Sequence, residues 1–113
     1  MGYDDVGIAV SDDDADQLEA VRTVVEWSRD SALMIEVDWS GETVRVQLEP
    51  EVMRSWSADV LADRLMRLHR LALMRARAEE RMRLINASGA PLPIMACWPS
   101  VTDVDEYRAT LDF

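Results

Sequence analysis

The chain has 113 residues, a formal net charge of −10, a hydrophobic share of 49% and four Trp. This length suits one domain with one core, the composition excludes a disordered chain, and no uncharged run reaches the roughly 18 residues that a membrane span needs. A single cysteine, Cys97, excludes an intramolecular disulfide, and a single histidine, His69, leaves no metal-ligand cluster, so neither metal nor cofactor is expected.

Nothing resembles a nucleophile beside its base, a Gly-rich phosphate loop or a dinucleotide fingerprint, which argues against an enzyme. The N-terminus has no basic start followed by an apolar block, so cytoplasmic residence is the default. Charge is segregated along the chain. Residues 1–19 hold seven acids and no base, whereas Arg64 to Arg83 includes seven Arg against Glu79 and Glu80. All twelve cationic residues are Arg. The overall acidity disfavours avid nucleic-acid binding, whose affinity comes largely from neutralising phosphates.

Residues 1–17 combine six aspartates with two glycines, and read as an acidic mobile tail ahead of a single domain over 18–113. Leu18 to Trp27 fits either a helical face or an alternating strand. The β-branched residues favour a strand from about Ala20 to Ser28, followed by a hairpin loop over Ser28 to Ser31. Leu33, Ile35, Val37 and Trp39 then alternate with Met34, Glu36 and Asp38. After a turn at Ser40-Gly41-Glu42, Val44, Val46 and Leu48 alternate with Thr43, Arg45, Gln47 and Glu49. The two apolar sets are expected to face inward, giving a sheet over about 20–49. Val52, Met53 and Trp56 form an apolar link, with room for a helical turn.

From Ser57 to Asn86 the chain lacks Gly and Pro and is rich in Ala, Leu, Met, Arg and Glu, which predicts one long helix capped by Ser57 and stopped near Ser88-Gly89-Ala90-Pro91. Leu61, Leu65, Leu68 and Ala72 recur on one side, and with Trp39 and Trp56 they are the candidate core or dimer interface. The opposite side carries Arg67, Arg70, Arg75, Arg77 and Arg81. It reads as a solvated face, a phosphate-binding face or a docking face for an acidic partner.

The Pro-rich stretch from Ala90 to Pro99 suits an extended segment over a hydrophobic surface, with Cys97 as a buried thiol. Its Ile94, Met95 and Trp98 are either an apolar docking element or a cap on the core. Ser100 to Leu111 predicts a short acidic helix with Val101, Val104, Tyr107 and Leu111 on one face. The fold class is therefore α+β: a three-stranded antiparallel sheet packed on one long helix, with the Pro-rich segment and a short C-terminal helix over 90–113.

This order resembles the YbaB/EbfC family. The resemblance rests on Val37-Asp38-Trp39-Ser40-Gly41-Glu42-Thr43-Val44, on Val46-Gln47-Leu48-Glu49-Pro50, and on Leu61-Ala62-Asp63-Arg64-Leu65. Trp56-Ser57, Leu71-Ala72, Arg75 to Ala78 and Pro99-Ser100 are similar to segments of the YbaB-like accessory proteins of type VII secretion, the EspD, EspH and EspL group. The chain departs from the nucleoid family in lacking a long leading helix and all lysines. The resemblance implies a homodimer that binds a protein partner, such as a secretion substrate, as a non-catalytic chaperone-like accessory. The alternative it implies is a nucleoid-associated or regulatory DNA-binding protein.

Overall fold

The computed structural model describes residues 22–90 and 93–113; the expected tail and the first residues of the expected first strand lie outside them. Three strands, β1 (Thr23–Trp27), β2 (Leu33–Asp38) and β3 (Thr43–Leu48), form an antiparallel meander in the order β1-β2-β3. The described end of the ambiguous region, Thr23 to Trp27, is thus a strand, as its β-branched residues favour. Register pairs Val24 with Val37 and Glu26 with Ile35 on one side, and Leu33 with Leu48 and Ile35 with Val46 on the other. An irregularity at Glu36 and Val37 shifts the second pairing.

Both hairpin turns are locked by short polar side chains. Ser28 Oγ accepts N–H bonds from Ala32 at 3.1 Å and Leu33 at 3.0 Å and donates to Asp30 Oδ1 at 2.6 Å. In the second turn Asp38 Oδ1 accepts from the N–H groups of Ser40 and Glu42, at 2.9 and 3.0 Å, and from the Ser40 hydroxyl. Gly41 follows with φ +93°, a region that favours glycine.

A short helix, α1 (Pro50–Ser55), leads into the long helix α2 (Ala58–Ser88). Ser57 caps α2 by accepting from the Val60 N–H at 3.2 Å, and Gly89 closes it in the left-handed conformation with its N–H on the Ile85 carbonyl. The helix runs two residues beyond Asn86, to Ser88. At about 1.5 Å per residue it is roughly 46 Å long. The Pro-rich segment winds into a 3-10 helix over Pro93–Cys97 rather than lying extended. The last helix, α3 (Val101–Ala109), begins with a reciprocal cap in which Ser100 Oγ accepts from Asp103 N–H while the Asp103 carboxylate accepts from Ser100 N–H.

Helix α2 lies across β1 and β2, and α3 packs along α2. The core joins Val24, Leu33, Ile35 and Val37 to Leu68, Leu71, Ala72 and Ala76, and is closed by Val104, Leu111 and Phe113. Leu68 and Ala72 are fully buried, while Leu61, Leu65 and Trp56 pack partly buried against the same cluster.

Several inward assignments need correction. Val44, Val46 and Leu48 are 55%, 42% and 37% exposed, because α2 passes over β1 and β2 and leaves β3 uncovered. Trp39 is not core: the strand ends at Asp38, the polar turn begins there, and the indole stays 54% exposed. Met34, assigned outward, is buried. Val101 is exposed because it opens α3 one turn before that helix meets the core at Val104. Cys97, at the end of the 3-10 helix, is exposed.

The two glycines of positive φ differ in their surroundings. A Cβ on Gly41 would overlap the Leu73 side chain, whereas one on Gly89 would meet nothing within 4 Å. Gly89→Ala is therefore expected to cost about 1 kcal/mol from backbone strain alone. Gly41→Ala is expected to cost about 2–3 kcal/mol, since overpacking adds to the strain, and urea unfolding of both variants checks the order.

The turn carboxyls give the fold a pH dependence. The Ser40 hydroxyl holds Asp38 below the usual carboxylate range, and the Ser28 hydroxyl does the same for Asp30. With folded pKa values depressed, the unfolded chain takes up these protons first. Their contribution is present above the unfolded value of about 4 and is lost as pH falls through the lower folded values. Unfolding midpoints measured from pH 7 down to 3 should decline on the acid side, and the double variant Asp30→Asn, Asp38→Asn should flatten that decline.

Candidate functional site

The basic side of α2 is largely engaged within the molecule. Arg75 donates through one terminal nitrogen to the Glu26 carboxylate and to the Val25 carbonyl, both at 3.0 Å, and through Nε to Glu79 at 2.8 Å. Arg108 of α3 reaches the same Glu26 oxygen at 2.7 Å. Glu26 sits on the core-facing side of β1 beside Val24 and is buried. Its charge is held by two guanidinium groups from two helices, which ties β1, α2 and α3 together.

Arg67 pairs with Asp63 at 2.8 Å and lies 4.9 Å from the centre of the Phe113 ring. Its neighbour Arg64 stacks on Trp56 at 4.3 Å and on Phe113 at 5.3 Å. Arg70 stands over Tyr107 at 5.5 Å. Arg81 is half-buried, with a buried Nε that has no hydrogen-bond partner among the described residues. Of the five candidate arginines, Arg70 and Arg77 are exposed and without an ion pair among the described residues, Arg70 being stacked on Tyr107.

The Pro-rich candidates separate in the same way. Met95 is buried and Trp98 is half-buried, while the Ile94 side chain lies outside the described part. Met95 therefore serves the interior. Trp98 lines an open groove of about 610 Å³ with Arg70, Met74, Cys97 and Tyr107.

Three exposed apolar side chains of the sheet, Val44, Val46 and Leu48, lie together on β3. Glu49 N–H donates to the Ala32 carbonyl at 2.9 Å, and strand alternation then turns the backbone groups of Val46 and Leu48 away from β2, toward the open edge. These residues thus offer an apolar strip and unpaired ladder positions together, the combination natural proteins usually protect. The other edge is treated differently, because Arg75 occupies the outward Val25 carbonyl. The described residues span 47 × 44 × 17 Å with a radius of gyration of 17.2 Å. A compact domain of comparable length has about 13 Å.

Sequence reasoning missed the open strip for a physical reason: alternation marks a face to be covered, without saying whether the cover is the chain's own helix or another molecule. The role of Glu26 did leave a signal. It shares parity with Val24, so a core-facing carboxylate required cationic partners. No protein-family model matches the chain, and no curated protein or solved structure matches it either.

Replacing Glu26 by Gln should destabilise the fold by about 2 kcal/mol, the scale of a charge-assisted hydrogen-bonded pair. In a double-mutant cycle with Arg108→Ala the two effects should fall short of additivity, as read by denaturant unfolding.

Proposed function

We propose that this protein is a non-catalytic interaction protein that works as a homodimer, a chaperone-like accessory of type VII secretion of the YbaB-like kind its motifs resemble. The observation that carries the reading is the apolar strip of β3, which the described residues leave exposed on a plate about 17 Å thick. A second copy is the natural cover. An isologous contact places the same strip on both partners, and it buries apolar surface at about 25 cal/mol per Å² while closing the free edge. The half-exposed Trp39 and Met66, exposed on the N-terminal half of α2, extend the surface available to such contacts.

The exposed Arg77 and the groove beside Arg70 then remain for the acidic protein partner. Nucleic-acid binding draws less support from the geometry. Arg67 and Arg75, which would neutralise phosphates, already hold carboxylates of this chain, and the net charge is −10.

Light scattering on the purified protein should give twice the 12.8 kDa chain mass. The double variant Val46→Lys, Leu48→Lys should give the single chain mass with its helical circular dichroism retained. A monomeric parent protein would remove the dimer from this reading. For the cellular role, cross-linking in the native host should join the protein to an exported partner. Anisotropy with duplex DNA should show no binding at moderate salt, and tight, steeply salt-dependent binding there would favour the nucleic-acid alternative.

A further inference from the structure

Beside β1, at the sheet edge opposite β3, α3, the C-terminal segment and α2 enclose a recess of about 310 Å³. Its lining includes Leu71, Leu111 and Phe113, all buried core residues, and one wall is Trp27. The indole is 50% exposed and also borders a second hollow of about 190 Å³ toward Gln47 and Pro50. A large aromatic side chain left half in water between two hollows retains considerable apolar surface for a ligand to cover.

The rim is cationic. Arg29 and Arg108 both line the recess, with Asp105 already paired to Arg108 at 3.3 Å. The Arg29 guanidinium has no ion pair among the described residues, and its neighbour Asp30 is turned inward onto Ser28 and Ala32. Arg29 is nonetheless held in place, since its backbone N–H donates to the Phe113 carbonyl at 2.8 Å. Trp and Arg around an apolar depression is the composition of interaction hot spots.

We propose that this recess is a docking site for an acidic segment of a partner protein, which seats one large apolar side chain against Trp27 and sets an adjacent carboxylate on Arg29. The apolar floor selects the anchor. The unpaired guanidinium selects the sign of the flanking charge, because Arg108 is already held by Glu26 and Asp105 and a lysine beside the anchor would face the charge of Arg29. The recess itself is lined by no residue of β3, although the far side of Trp27 borders the hollow that Leu48 lines, and it does not depend on dimer formation.

The probe is a fluorescein-labelled, capped peptide with phenylalanine between pairs of aspartates, titrated with the full chain by fluorescence anisotropy. Its counterpart carries lysines in place of the aspartates. Saturable binding of the acidic peptide is expected, with the affinity reduced about tenfold or more in Trp27→Ala, the usual scale for losing an aromatic anchor. Arg29→Glu should reduce it about fivefold or more by reversing the rim charge. Both positions are at the surface, and circular dichroism melts establish that each variant folds. Absence of saturation up to about 1 mM protein, an affinity near the bottom of the measurable range, would overturn the proposal. So would equal binding of the lysine peptide, or an affinity indifferent to both substitutions.

Discussion

One helix is too narrow for three strands, and the architecture follows from that mismatch. An α-helix with its side chains is about 10 Å across, while strands repeat every 4.8 Å or so, which gives one helix the width of two strands. Helix α2 lies on β1 and β2, where Val24, Leu33, Ile35 and Val37 are buried beneath Leu68, Leu71 and Ala72. Strand β3 has the same alternating pattern and the same inward parity, yet no helix among the described residues crosses it. Its valines and leucine are therefore exposed by geometry rather than by composition, and a 17 Å-thick plate results.

Charge serves that packing before it serves any partner. A carboxylate on the covered side of β1 is costly unless paired, and Glu26 obtains two arginines, one from each helix. The same cations then bind α3 to the sheet, so the ion cluster fixes where the C-terminal segment can lie. The Phe113 ring continues this arrangement, lying against Arg64 and Arg67, while Arg64 also covers Trp56. A stripe that counts as seven arginines in the sequence is, in space, largely a set of internal ties, with a smaller remainder free of ion pairs among the described residues at Arg70 and Arg77.

What the sequence discloses and what it hides divide along these lines. The long helix, its Ser57 cap and its glycine stop were legible because they depend on residues within a few positions of one another. The β2–β3 hairpin was legible for the same reason, through strict alternation around Gly41. Burial was less so. Met34 alternates with the core set yet is buried, Trp39 continues the core set yet is exposed, and Cys97 lies in an apolar run yet faces solvent. Each outcome depends on what another part of the chain covers, which no local pattern records. The Pro-rich segment failed differently: prolines prevent a strand, but they tolerate the tight turn of a short 3-10 helix as readily as an extended path.

The two edges of the sheet carry opposite chemistry, and this bears on how the surfaces could act together. At β1 the outward carbonyl of Val25 is taken by Arg75, and the space beyond it forms the recess under Trp27. At β3 the outward groups of Val46 and Leu48 have no strand partner among the described residues. Association of two copies edge to edge through β3, as proposed above, would lengthen the sheet and leave the β1 side of each copy outermost. Two recesses would then sit at the far ends of one rigid body, each able to hold an acidic segment. A partner that is itself dimeric, or that repeats its acidic motif, would gain from engaging both ends, since the second contact forms at an effective concentration set by the spacing rather than by the solution. If the proposed dimer forms edge to edge, the constraint that leaves β3 uncovered would also determine how many such recesses the pair presents, and in which directions they point.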